Sequence, residues 1–270
     1  MIIVDDCSPE NLLSIVAPYL CDERIHYYRN ENNCGALNVV DNWNICLGYS
    51  TGDYVLCMGD DDRLLPCCLE EYGRMAAVYP NLNVYHARTQ IIDEGGNVIG
   101  YQEGRPDFET CQEMLSRQWK QGGNQYLGDF LFSRQWLKAN NGYVKFNYGL
   151  SSDRTTANLA AKEGGIANSQ RIMFEYRDSP ATISNTQNLR QAVFSCNLVY
   201  KWYEDNFAQM LTSDFHKYYV KRMSDIISMD VKESPLSETY YWLVYGKNLF
   251  LTYCQVLKSC LRGIAYSVLH

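Results

Sequence analysis

The chain has 270 residues, with 24 Lys and Arg against 31 Asp and Glu, and so carries a formal net charge of −7. That balance argues against a nucleic-acid binder, which needs a basic face to release phosphate counterions. With 46% hydrophobic and 20% charged residues the chain is globular, long enough for one large domain or a domain with an appendage.

Ile2 to Val4 is an apolar run that stops at Asp5-Asp6-Cys7-Ser8-Pro9, and Asn11 to Leu20 follows at helical spacing. Arg24 to Tyr28 is strand-like, and a polar loop from Arg29 to Gly35 leads into a helix over Ala36 to Gly48 with Leu37, Val40, Ile45 and Leu47 as its inner stripe. Gly52-Asp53 turns the chain into Tyr54 to Met58, a continuous apolar run of the kind buried on both faces of a sheet, which Gly59-Asp60-Asp61-Asp62 ends. Pro66 sits where a helix can start, and Cys68 to Tyr79 reads as helix before Pro80. Leu82 to Ile92, a glycine turn at Glu94 to Asn97, and Val98 to Tyr101 read as an antiparallel insertion. Residues 105 to 150 read as a loop-rich, adaptable binding surface with one strand-helix pair from Phe130 to Ala139. Asp153 to Glu163 is a helix ended by Gly164-Gly165, and Arg171 to Tyr176 a strand. From Gln187 onward the pattern is long and helical, broken near Glu233-Ser234-Pro235. Strands alternating with helices predict an α/β fold with a mainly parallel sheet flanked by helices, and a helical C-terminal extension over 186–270.

No apolar run of about 18 residues marks a membrane span, and the start lacks the order of a secretory signal. A cytoplasmic protein is expected, resting at most on the inner face of a membrane. Eleven cysteines occur without CxxC or paired His spacing, so reduced thiols are expected rather than a zinc site. The four histidines show no metal spacing either.

Three adjacent carboxylates at a strand end repel one another unless a cation, protons or water offset the charge. Ligands bind at the carboxyl ends of parallel strands, so Asp60, Asp61 and Asp62 suit a hard ion such as Mg²⁺ or Mn²⁺ that shares its remaining positions with phosphates and water. A solvated acidic turn is the plain alternative. Asp5 and Asp6 repeat the arrangement after the first strand, where a turn with a cap for the next helix is the competing role.

IIVDDCSPE, then NNCG, then NWNICLGYSTGDYVLCMGDDDRLLP resembles the nucleotide-sugar half of family 2 glycosyltransferases with a GT-A (Rossmann-like) fold. FLFSRQWLKANNGYVKFNYGLSSDRTTANLAAKEGGI resembles the acceptor half of the same family. The resemblance covers residues 1–185, with the donor half at about 1–100 and the acceptor half at about 101–185. It implies an inverting transfer of a sugar from a UDP-linked donor to a saccharide or lipid-linked acceptor, assisted by Mg²⁺ or Mn²⁺. Carried over residue by residue, Asp6, with Asp5 beside it, meets the base. Asp60 faces the ribose, Asp61 holds the metal, and Asp62 is a supporting or alternative ligand. The first family Asp falls on Gly59, so the choice among the three stays open, because Asp60-x-Asp62 also satisfies DxD. Asn44, in the NWN helix beside the nucleotide crevice, and Arg177, near the diphosphate, complete the donor side, with a surface salt bridge as the competing role for Arg177, while Trp43 is expected to be core.

Asp153 matches the acceptor-side acid that takes the proton of the attacking hydroxyl. An N-cap role at the start of its helix competes with this, with Ser151 and Ser152 as rival caps. The family's usual upstream strand and helix have no counterpart before Ile2, which predicts two unpaired strand edges and an incomplete nucleotide pocket. A truncated, catalytically silent binding module is therefore the alternative function. At the far end, Thr239 to His270 has Lys247, Lys258 and Arg262 but no acid, as in an amphipathic membrane-surface helix. Packing on the protein or on a second subunit is the competing role, and Gly246 and Gly263 weaken one unbroken helix.

Overall fold

A computed structural model describes residues 1–180, 182, 188–246 and 249–269. The boundary expected near 186, together with Lys247 and His270, lies outside them. The chain forms two compact units, Met1–Met114 with Gly123–Ile183, and Leu115–Gly122 with Ser184–His270.

In the first unit, β1 (Ile2–Asp5) pairs in parallel with β2 (His26–Arg29), joined through the short helix α1 (Leu12–Val16). The helix expected over Asn11 to Leu20 is shorter, because Pro18 tightens its end into a 3-10 turn, and it buries none of its residues. After α2 (Val39–Tyr49) come β3 (Tyr54–Leu56), β4 (Arg63–Leu64), α3 (Cys68–Val78), β5 (Val84–Ile92), β6 (Val98–Tyr101), β7 (Phe108–Glu109) and α4 (Cys111–Gln121). They are followed by β8 (Phe130–Ser133), α5 (Arg134–Ala139), α6 (Ser152–Ala160) and β9 (Ile166–Arg177).

The larger sheet runs β3-β8-β5-β9-β4, with β6 on β5 and β7 on β9. Its pairing is mixed rather than mainly parallel. Strand β8 runs antiparallel to both β3 and β5, and β5 runs parallel to β9, so β3, β5 and β9 share one direction. The hairpin β5–β6 forms as expected, its turn held by the Asp93 carboxylate accepting from the Asn97 amide at 2.8 Å.

Strand β3 departs from expectation. It is an edge strand, paired with β8 alone among the described residues, and Tyr54 is exposed while Val55 and Leu56 are half-buried. β1 likewise has β2 as its one partner among those residues. Such open edges leave backbone groups outside the ladder.

The core lies where α3 meets β5 and β9. Tyr72, Met75, Tyr85, Met173 and Phe174 are buried there, each side chain contributing roughly 1.5–3 kcal/mol. Strand β9 begins well before the expected Arg171, because the polar stretch Asn168-Ser169 is buried and bonded. Asn168 donates to the Pro106 carbonyl at 2.8 Å, and Ser169 donates to Glu71 at 3.3 Å.

The second unit holds α7 (Leu189–Phe207), α8 (Ser213–Glu233), α9 (Pro235–Tyr245) and α10 (Tyr253–Leu269). Asn188 caps α7 by accepting from the Arg190 amide at 2.9 Å, and Pro235 opens α9 at the predicted break. Helix α8 packs against α7, α9 and α10. Gly263 does not interrupt α10 as expected. A Cβ there would press on Ser228 and Val231, so the glycine lets α8 and α10 approach, with Ser228 donating to the Ser259 carbonyl at 2.9 Å. No helix among the described residues is long and apolar enough to cross a membrane, and all eleven cysteines are free.

Candidate functional site

Because β3, β5 and β9 run the same way, their carboxyl ends share one edge of the sheet. The loop after β3 carries Asp60, Asp61 and Asp62, the end of β9 carries Arg177, and the turn after β5 carries Asp93 and Glu94. Arg177 ties the three together. Its amide donates to the Asp62 carboxylate at 3.0 Å, its Nε to the Asp61 carbonyl at 2.9 Å, and its Nη1 to the carbonyls of Asp93 at 2.8 Å and Glu94 at 3.0 Å. Arg177 is thus a backbone clamp on the acidic loop, without an ion pair to a carboxylate side chain among the described residues.

Asp60 and Asp61 are exposed and Asp62 is half-buried. Burial pushes the Asp62 carboxyl up to about 7, the neighbouring charges of Asp61 and Asp60 add to this, and the Arg177 amide offsets part of it. Asp62 therefore ionises less readily than an ordinary aspartate unless a cation stands beside it. Among the described residues no three His, Cys, Asp or Glu form a ready metal cage. Two exposed carboxylates beside a half-buried third do fit a hard cation that takes the rest of its oxygen ligands from phosphate and water.

The two aspartates after β1 have different surroundings. Asp5 is buried at 2% exposure and accepts from the Tyr27 hydroxyl at 2.6 Å, the Ser8 amide at 2.7 Å and the Arg29 guanidinium. Burial alone would raise its pKa, but the bonds from Tyr27, Ser8 and Arg29 together hold it below the usual carboxylate value. Its oxygens are committed to β2 and to the loop after β1. Asp6, half-buried, accepts from the Cys34 amide at 3.0 Å and from Asn30 at 2.7 Å, and Asn30 also donates to Asn42 at 3.0 Å. The NNCG loop and the NWN helix therefore meet at Asp6.

The rest of NWN faces the acceptor half. Asn44 accepts from the Tyr143 amide at 2.9 Å, Trp43 stacks edge-on to Tyr143 at 5.8 Å, and Lys145 pairs with Asp41 at 2.6 Å. Gly142, at φ +82°, lies so close that a Cβ would collide with the Asn44 oxygen. Asn44, expected beside the nucleotide, holds the loop at Gly142 and Tyr143. Trp43 packs as expected, against that same loop rather than inside the sheet core.

That loop delivers Asp153. Tyr148, Gly149 and Ser151 all have positive φ, 59°, 66° and 62°, and at the non-glycine pair Tyr148 and Ser151 this is backbone strain immediately before α6. Ser151 occupies the N-cap position without a side-chain cap bond, and Ser152 accepts from the Phe146 amide at 3.1 Å. Asp153 is the second residue of the helix and not its N-cap. It is half-buried, with one oxygen accepting from the Arg154 amide at 2.7 Å. Arg154 reaches the Gly123 carbonyl at 2.9 Å, so α6 is fastened to the loop that enters β8. In that loop Tyr126 stacks on Tyr176 at 3.7 Å, one residue before Arg177. Asp153 and the acidic loop are thus linked through one run of contacts, from Arg154 through residues 123–126 to Tyr176.

One charged residue of this edge escaped sequence reasoning. Asp129 is fully buried, accepting from Thr89, from Gln102 at 2.6 Å and from the Tyr126 amide at 2.8 Å, with His86 at 3.7 Å. Burial pushes its carboxyl up to about 7 against these bonds. It fixes Tyr126, which stacks on Tyr176. No spacing marks it, because its partners lie 3 to 43 residues away, though a lone Asp entering an apolar strand was the available hint.

The sequence model of the family described as glycosyl transferase family 2 matches residues 1–138, more than half of the chain. The chain belongs to that family. An uncharacterized glycosyltransferase of Haemophilus influenzae is 34% identical over 97 residues, a match spanning 35% of this chain and 31% of the relative. Among solved structures, S. aureus TarS matches over 99% of this chain and 47% of its own, at 14% identity and a TM-score of 0.56. TarS 1-349 in complex with UDP-GlcNAc matches over 99% of this chain and 81% of its own, at 12% identity and a TM-score of 0.53. At such identities the likeness is one of fold, and it agrees with the GT-A-like architecture.

Proposed function

We propose that the chain transfers a sugar from a UDP-linked donor, with inversion, to a saccharide or lipid-linked acceptor, assisted by Mg²⁺ or Mn²⁺. The observation that carries this is the acidic loop Asp60–Asp62, clamped by Arg177 at the carboxyl edge of the sheet with two of its carboxylates exposed. Family membership gives the reaction class, and the solved TarS complexes with UDP and UDP-GlcNAc make UDP the first donor nucleotide to test.

Asp61, with Asp60 or Asp62 beside it, would hold the cation, which when bound offsets the charge of the departing diphosphate. Asp6 and Asp60 would meet the nucleoside, while Asp5 and Arg177 keep their loops in place behind them. Asp153 takes the proton from the acceptor hydroxyl as that oxygen attacks the anomeric carbon. Incubation with a panel of UDP-sugars and saccharide acceptors, followed by proton NMR of the product, tests this. An α-linked donor gives a β-linked product, and retention of configuration would overturn the assignment of Asp153 as base. A catalytically silent module is the alternative, favoured by the open edges of β1 and β3. It is chosen if a folded chain binds UDP but turns over no donor.

A further inference from the structure

We propose that the second unit carries a binding pocket for a phosphate ester, separate from the acidic edge of the first unit. Residues at the end of α4 and along one face of α8 line an open recess of about 610 Å³, inside the usual range for small-molecule sites. Along α8 the lining recurs every three or four residues, as Lys217, Tyr218, Lys221 and Arg222, and Lys120 faces them from α4. Trp119, buried and packed edge-on against Phe215 at 4.9 Å, gives the pocket a fixed apolar wall.

The charge balance identifies the ligand class. Two acids line the cavity, and both are paired, Asp214 with Lys217 at 3.5 Å and Asp225 with Arg262 at 2.8 Å. Lys120, Lys221 and Arg222 pair with no carboxylate among the described residues. Arg222 is steadied by the Tyr218 hydroxyl at 3.4 Å. Three uncompensated cations around one recess, in a chain whose net charge is −7, make a local anion site rather than a general basic surface. The recess holds more than an ion. Its volume and aromatic wall suit the carbon skeleton of an ester, and the lysines suit its phosphoryl oxygens.

The test is calorimetric titration of the full chain with glucose 6-phosphate, and with glucose as the neutral control. Binding of the ester and not of glucose is expected, unaffected by excess UDP and by Asp61→Ala, weakened several-fold when KCl rises from about 0.05 to about 0.5 M. Lys120→Gln and Lys221→Gln should each weaken it by about tenfold, as for loss of a charged hydrogen bond. Both side chains are exposed, so an unchanged melting temperature is expected for each variant. Equal binding of glucose, displacement by UDP, or unchanged affinity in both lysine variants would overturn the proposal. Lysine-dependent sedimentation with phosphatidylglycerol vesicles, in the absence of ester binding, would overturn it in favour of a flat lipid contact.

Discussion

Asn44 and Gly142 offer a quantitative check on how the two halves of the first unit are joined. Gly142 sits at φ +82°, and a Cβ there collides with the Asn44 oxygen that accepts from the Tyr143 amide. In Gly142→Ala the left-handed backbone costs about 1 kcal/mol. The displaced Asn44 leaves the amide of buried Tyr143 unsatisfied, which adds about 1–3 kcal/mol. Asn44→Ala alone removes the same bond and costs about 1–3 kcal/mol. In the double variant the collision is gone, and alanine at 142 adds only the backbone strain. The two changes should therefore be non-additive by about 1–3 kcal/mol, read from urea unfolding of wild type, both single variants and the double variant. Additivity within about 0.5 kcal/mol would show that Asn44 does not hold the loop, and would return it to the nucleotide side where its motif suggested it belongs.

Three further outcomes follow from the same geometry. Asp129 titrates near 7 when folded, against an ordinary value of 3.8, so the folded state binds more protons between those values and stability falls as pH rises from about 4 to about 7. Asp129→Asn, which can keep accepting from Gln102 and the Tyr126 amide, should flatten that part of the melting-temperature profile, and an unchanged slope would refute the assignment. Thr110→Ala should destabilise the chain by about 1 kcal/mol in urea unfolding, because Thr110 and Glu113 exchange side-chain bonds with each other's amides at 3.3 and 2.9 Å at the start of α4. Asp153→Asn should lower kcat by about 10²–10⁴-fold while leaving UDP affinity unchanged, measured by donor turnover and calorimetry. A matching loss of folded protein would show a structural role instead.

Much of this architecture was legible in the sequence because it rests on local signals. The apolar runs ending in acids, the Asn97 turn of the β5–β6 hairpin and the Pro235 break each carry their own punctuation. Helix α4, which stands where a loop-rich surface was expected, is legible too. Thr110-x-x-Glu113 is a capping box, and Met114, Leu115 and Trp119 supply its buried side. What escaped depends on distant partners. A buried strand could not be told from an edge strand at Tyr54–Leu56, because apolarity does not report which neighbour is present. Asn168 and Ser169 look like loop residues until Pro106 and Glu71 satisfy them. At the site, the acidic triplet was readable as a cluster of charge, whereas the clamp by Arg177 and the turning of Asn44 toward Tyr143 depend on contacts between residues 83 to 116 positions apart in the chain.

The most direct test of the central claim is UDP binding by calorimetry, with and without Mn²⁺, on the chain and on Asp61→Ala. The account predicts saturable binding that Mn²⁺ strengthens and that Asp61→Ala abolishes or reduces to the metal-free level. Failure of the folded wild-type chain to bind UDP in the presence of Mn²⁺, or binding indifferent to both the metal and Asp61, would contradict it.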